Sequence, residues 1–428
     1  MLEIATYGDF SSLIHKRQKG RRIPAEVSIE VTHRCPLECQ HCYNNLPMGD
    51  NDARKQELTL EEHVQLLDEL VAMNCLWILY TGGEIFARKD FLDIYTEAKK
   101  RGFIITLFTN GTLITPRIAD YLVEYRPFGI EITLYGATRE TYEALTQIPG
   151  SFDRCMRGIR LLKERNLPLT LKTVPTNINY HEVYEMKRFA EEEIGVEFKY
   201  DAAINPRTDC SQSPLGVRLS PEQAVTLDFL DPARKAEHRK LVMEELAEEP
   251  RALGEHRYLC GGGERGCAVD PKGELTICLI SHQDGYNIRE GSFTEGWSGK
   301  LLEIRKTKRH RETICTHCRI HSLCNMCPAT AELETGDAET PVPFLCEVAH
   351  LRAFGLGVEV PEHGDCPCCS GGLEHKSLME AASRLQQISP NSAPAMPIRG
   401  SSSFLPVLPV LQAGRACSER KCSACGDH

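Results

Sequence analysis

From residue 27 to about residue 201 the chain alternates short β-branched or apolar runs with stretches whose apolar positions recur at helical spacing. The runs at 27–32, 76–80, 104–108, 129–134, 169–173 and 197–200 predict strands. The stretches at 60–73, 91–100, 116–124, 151–165 and 181–193 predict amphipathic helices. Thr59 or Leu60 opens the first of these, and its early carboxylates suit the positive end of a helix dipole. Such alternation favours a parallel sheet with right-handed crossovers, an α/β architecture that gathers chemistry on the loops following the strands.

Downstream the pattern changes twice. Residues 205–255 read as a helical connector, and cysteines then concentrate between Cys260 and Cys346. After about residue 359 the composition shifts to Cys, Ser, Pro and Gly, and 389–414 lacks either periodicity, so a flexible tail is expected. The expected division is a lead-in at 1–26, a barrel at 27–204, the connector at 205–255, a Cys-rich domain at 256–350 and the tail at 351–428.

A chain of 428 residues, 41% hydrophobic, holds a catalytic barrel plus a second module. A formal charge of −10 argues against a nucleic-acid partner, and the basic runs at 16–22 and 305–311 read as solvated faces. The start lacks the basic segment and apolar core of an export signal, and no stretch approaches the roughly 20 apolar residues of a membrane helix. A cytoplasmic location and no membrane association are therefore expected. In that setting 20 cysteines read as metal ligands rather than disulfides.

Cys35-Pro-Leu-Glu-Cys39-Gln-His-Cys42-Tyr43 directly follows the first predicted strand. Three thiolates on one loop can hold three irons of a [4Fe–4S] cluster and leave the fourth open. Zinc with His33 or His41 as a fourth ligand is the competing reading of these residues alone. Thr81-Gly82-Gly83-Glu84 follows the second strand, where glycines let backbone approach a ligand and Glu84 can accept from an ammonium group. Thr109-Asn110-Gly111-Thr112 follows the third strand and Thr133 ends the fourth. Lys172 on the fifth faces either the mouth or outward, and is not counted among the site residues.

These motifs, with the cysteine spacing Cys260-x6-Cys267-x10-Cys278, Cys315-x2-Cys318-x5-Cys324-x2-Cys327 and Cys346, resemble the radical S-adenosylmethionine (SAM) superfamily with a C-terminal SPASM domain, in its peptide-maturase branch. The resemblance implies a partial (β/α)6 TIM-like barrel, a small Cys-rich SPASM domain and a flexible tail. It places a [4Fe–4S] cluster on Cys35, Cys39 and Cys42, with the amino and carboxylate groups of SAM on the open iron. One electron then cleaves SAM and leaves a 5′-deoxyadenosyl radical that abstracts hydrogen. Gly82, Gly83 and Glu84 would meet the SAM amino group, Thr109 and Asn110 would lie near SAM, Thr133 at its ribose or methionine part, and Tyr43 beside the adenine.

The same resemblance implies two auxiliary [4Fe–4S] clusters, the nearer on Cys260, Cys267, Cys278 and Cys327 and the farther on Cys315, Cys318, Cys324 and Cys346. The family's usual C-x3-C is here Cys324-Asn-Met-Cys327, and a zinc knuckle of four thiolates on residues 315–327 is the competing reading. Cys366, Cys368, Cys369, Cys417, Cys422 and Cys425 lie outside the family pattern, and an unstructured, nonessential tail is expected for them. Cys75, Cys155 and Cys210 read as ordinary buried thiols.

The expected activity is oxidative modification of a peptide or protein by a thioether or carbon–carbon crosslink. Expected partners are that peptide, a separate peptide-recognition protein, and a reductant such as flavodoxin or ferredoxin. Tetrapyrrole side-chain oxidation is one alternative. Formylglycine formation in sulfatases is another, although that subgroup has Asp where this chain has Leu279. A non-enzymatic iron–sulfur or zinc scaffold is a third. No acid or base is nominated.

Overall fold

The structure is a computed structural model that describes residues 6–18, 20–249, 253–281, 284–324 and 326–388. The segment 389–414 and Cys417, Cys422 and Cys425 lie outside the described residues.

Six parallel strands form the barrel wall in chain order: β1 (Glu26–Thr32), β2 (Trp77–Gly82), β3 (Ile104–Thr109), β4 (Gly129–Thr133), β5 (Leu169–Thr173) and β6 (Phe198–Tyr200). Helix α1 (Tyr7–Gln18) precedes them. The crossovers carry α2 (Leu60–Ala72), α3 (Phe91–Lys100), α4 (Pro116–Glu124), α5 (Ser151–Glu164) and α6 (Val183–Arg188). Each predicted strand and helix is present, most with boundaries within two residues. The last helix differs because Phe189–Ile194 continues α6 as a π-turn.

The two faces of the strands separate by chemistry. Val27, Ile29, Val31, Ile78, Tyr80, Ile105, Leu107, Ile130 and Ile132 are at most 1% exposed and pack into the apolar core with the helices. Each fully buried side chain of this kind stabilises by about 1.5–3 kcal/mol. The alternate positions include Trp77, Thr106, Phe108, Glu131, Thr133 and Lys172, which line the barrel interior. Helix α1 closes the bottom, where Tyr7 Oη accepts from Trp77 Nε1 at 2.7 Å and His15 stacks on the indole.

The C-terminal part is not a separate layer. Strand β7 (Gly266–Val269) pairs parallel to β1 on its free edge, with Val27 opposite Cys267. The antiparallel β8 (Glu274–Thr276) and β9 (Tyr286–Asn287) extend this edge into a nine-stranded sheet. The connector forms α7 (Pro221–Leu230) and α8 (Pro232–Ala247). The Cys-rich region adds α9 (Pro328–Thr335) and α10 (Pro343–Gly355), and α11 (His375–Gln386) follows.

Here the expected boundary at 350/351 is corrected. It falls inside α10, and the chain stays folded to residue 388 because Leu378, Ala381, Ala382 and Leu385 of α11 are buried in the core. Cys366, Cys368 and Cys369 are buried too, rather than lying on a loose tail. Polar composition hid one short amphipathic helix.

Candidate active site

The loop after β1 is built to hold its three thiols. Arg34 donates to both oxygens of Glu57 at 2.8 and 3.0 Å, and Thr32 Oγ1 donates to the same carboxylate. The backbone N–H groups of Glu38 and Gln40 donate to the carbonyls of Thr146 and Leu145, fixing the loop to helix Arg139–Thr146. The Arg207 guanidinium reaches the carbonyl of Cys42 at 3.2 Å and Asn45 Oδ1 at 2.7 Å.

Cys35, Cys39 and Cys42 are within electrostatic reach of one another, and burial pushes each thiol upward. Leu37 N–H and Asn110 Nδ2 donate to Cys35 Sγ at 3.5 and 3.4 Å. Three free thiols on one loop, Cys35 buried and Cys39 and Cys42 half-buried, suit a [4Fe–4S] cluster whose irons would supply the positive charge the thiolates need. His41, half-buried and held neutral with a pKa lowered to about 4 by desolvation, lines the adjoining cavity.

That cavity, of about 330 Å3, opens at the C-terminal ends of the strands. Tyr43, Gly82, Gly83, Thr109, Asn110 and Thr133 all line it. Gly82 has φ +121°, and a Cβ there would lie 2.2 Å from the carbonyl oxygen of Thr32, so the tight turn beside the loop requires glycine. Tyr43 presents its ring while its hydroxyl donates to Glu30 Oε1 at 2.9 Å.

Glu84 departs from expectation. It is fully buried and absent from the cavity wall. Its carboxylate accepts from Thr109 Oγ1 at 2.7 Å, Asn110 N at 2.8 Å and Phe86 N at 3.2 Å. Glu84 thus props the Thr109–Asn110 turn from behind, and burial raises its pKa to about 7.

Several residues in or beside the cavity were not anticipated. Glu30, buried next to the wall, gathers Tyr43, Asn44 and His33 around one carboxylate. Its signal was present in the alternation of Glu26, Ser28 and Glu30 with Val27, Ile29 and Val31. Lys172 lines the cavity, donates to Glu131 Oε2 at 3.1 Å, and has its pKa lowered to about 8 by burial. Tyr135, Phe108 and the 203–205 segment carried no motif. Leu279 and Ile280, directly after Cys278, complete the wall from the C-terminal region.

The remaining cysteines separate into groups. Cys278 lies within electrostatic reach of Cys327 and Cys260, and burial lifts it to about 11. Cys267 does not join them. It sits on β7, 5% exposed, and its charged neighbours are Cys75, Arg22 and Glu26. Sheet pairing with β1 fixes this orientation, which spacing alone did not reveal. Cys315, Cys318, Cys324 and Cys346 line one small cavity. Cys324 and Cys327 consequently fall in different groups, which disfavours a single zinc knuckle on residues 315–327.

Comparison with known proteins accords with this geometry. An AdoMet-dependent heme synthase of Methanosarcina barkeri is 26% identical over 347 residues, covering 75% of this chain and 96% of the relative. Mycofactocin maturase MftC of Mycolicibacterium smegmatis is 25% identical over 344 residues, 76% of this chain and 83% of the relative. In fold, SuiB of Streptococcus suis bound to S-adenosylmethionine superposes with TM-score 0.55 at 15% identity, over 79% of this chain and 80% of that one. Residues 29–190, the stretch that carries the three-cysteine loop and most of the barrel, match the Radical SAM superfamily.

Proposed function

We propose that this enzyme oxidatively modifies a peptide or protein, joining two side-chain or backbone atoms by a thioether or carbon–carbon bond. A [4Fe–4S] cluster on Cys35, Cys39 and Cys42, together with SAM, supplies a one-electron cleavage that yields a hydrogen-abstracting radical. Tyr43, Gly82, Gly83, Thr109, Asn110 and Thr133 would seat SAM, with Glu84 acting through the turn it supports. Cys260, Cys278 and Cys327 would hold one auxiliary cluster, and Cys315, Cys318, Cys324 and Cys346 a second. The chain's own groups keep water out of the cavity and orient the substrate through Tyr43, Lys172 and Tyr135.

The observation that carries the reading is the cavity wall at Leu279 and Ile280, adjacent in sequence to Cys278. Forming a crosslink removes two hydrogens from the substrate, one as an atom and one as a proton plus an electron. An electron acceptor held through Cys278 would stand beside the cavity in which that electron is released. A flavodoxin or ferredoxin would reduce the first cluster, and a separate recognition protein would deliver the peptide.

Reconstituted enzyme incubated anaerobically with SAM, dithionite and a candidate precursor peptide should form 5′-deoxyadenosine and a product about 2 Da lighter. Tetrapyrrole side-chain oxidation is the second reading, favoured by the similarity to AdoMet-dependent heme synthases over 75% of the chain. Turnover of a porphyrin with no change in any peptide would replace the first reading by the second.

A further inference from the structure

Between α10 and α11 the chain reads His363-Gly-Asp-Cys366-Pro-Cys368-Cys369, an H-x2-C-x2-C spacing outside every motif used above. The segment turns tightly, with the N–H of Cys369 donating to the carbonyl of Cys366. His350 reaches the same spot from α10. The ligand atoms of His350, His363, Cys366 and Cys369 all lie within 4.8 Å of one another, and all four residues are buried.

We propose that these four residues form a tetrahedral zinc site, with two thiolate and two imidazole ligands, that fastens α11 to the rest of the C-terminal region. With Zn–S near 2.3 Å and Zn–N near 2.0–2.1 Å, the edges of a tetrahedron are about 3.5 Å between S and N and about 3.8 Å between two S atoms. Cys369 Sγ lies 3.5 Å and Cys366 Sγ 3.8 Å from His350 Nε2, and Cys369 Sγ lies 4.0 Å from His363 Nε2.

The second ring nitrogen of each histidine is already engaged. His350 Nδ1 is 2.8 Å from the carbonyl of Cys346, and His363 Nδ1 is 2.9 Å from that of Pro361. As an N–H donor there, His350 Nδ1 leaves its Nε2 lone pair free for a metal, the usual outer arrangement of a ligating histidine, while His363 presents both ring nitrogens to Cys369 Sγ, Nδ1 at 3.5 Å and Nε2 at 4.0 Å. An overlapping set of Cys346, His350, Cys366 and Cys368 also brings its ligand atoms within 4.8 Å of one another and shares His350 and Cys366, so Cys368, Cys369 and His363 are the residues that separate the two. The site adjoins the group of Cys315, Cys318, Cys324 and Cys346: Cys346 Sγ lies 3.8 Å from Cys366 Sγ, and His350 and His363 line the same small cavity.

The site does not depend on which substrate the enzyme modifies. The full-length chain, produced with iron and zinc and reconstituted anaerobically, should contain about one zinc. Zinc-edge X-ray absorption on the wild type should show two sulfur and two nitrogen ligands. Cys369→Ser and His363→Ala should each lower zinc occupancy at least tenfold and leave iron content and SAM cleavage unchanged, while Cys368→Ser keeps the zinc. Absence of zinc from the wild type, a shell of four sulfurs, or iron falling by about four in Cys369→Ser would overturn the proposal, the last by making Cys369 a cluster ligand.

Discussion

Glu84 is the buried carboxylate on which the Thr109–Asn110 turn depends. Its pKa of about 7 lies above the ordinary 4.5, because burial disfavours the ion more than the donors of Thr109, Asn110 and Phe86 favour it. The folded state therefore binds its proton more tightly than the unfolded chain. That contribution is complete below pH 4.5 and is lost as pH rises through about 7, and it amounts to at most about 3 kcal/mol. Glu84→Gln should flatten the fall in melting temperature between pH 5 and 7.5, read by anaerobic thermal scanning; parallel wild-type and variant curves would remove this role. At Cys35 the expectation is sharper: Cys35→Ala should cost about four irons and abolish 5′-deoxyadenosine formation, since two thiolates cannot hold the site-differentiated cluster. Spacing was enough to put Cys35, Cys39 and Cys42 on one loop after the first strand. It misplaced Glu84 and Cys267, because the direction a side chain points depends on strand register and burial.

Loops and helices position the site through a few contacts that no motif announces. Arg207, 165 residues after Cys42, pins the carbonyl of that cysteine and both oxygens of Asn45. Hydrogen bonds from a charged donor of this kind are worth about 1.5–3 kcal/mol each. Arg207→Ala should loosen the loop by about 2–3 kcal/mol and speed iron release to a chelator several-fold, with SAM cleavage slowed rather than abolished. Helix α5 approaches the Thr109–Gly111 turn so closely that a Cβ on Gly158 would lie 2.2 Å from the carbonyl oxygen of Gly111. Gly158→Ala must push that turn toward the cavity. Overpacking of this type costs about 1–3 kcal/mol, and the variant should show weaker SAM binding by equilibrium dialysis along with a lower melting temperature. Periodicity gave the helices themselves, from Leu60–Ala72 to Ser151–Glu164, because each presents one apolar stripe to the sheet. It did not say which helix would touch which turn.

Across the whole molecule, the barrel and the Cys-rich region share one sheet, and the connector packs with the C-terminal helices. Asp228 of α7, 2% exposed, accepts from Arg234 of α8 and from Arg352 of α10, tying three segments together. Ending the chain after residue 359 removes the apolar face of α11 and uncovers α7 and α10. That truncation should lower the melting temperature by several degrees and reduce iron retained in the C-terminal region. 5′-Deoxyadenosine formation in the barrel should persist; its complete loss would mean that the two parts do not act as separable units. The sequence by itself determined the strand–helix alternation, the parallel barrel and the three-cysteine loop, since these rest on local periodicity and on ligands close together in the chain. Only the tertiary structure decided which cysteines share a group, that β7 extends the barrel sheet, that Glu84 stands behind the cavity, and that His350 meets Cys366 and Cys369. Those outcomes follow from pairing and packing between residues far apart in the chain, which no local pattern encodes.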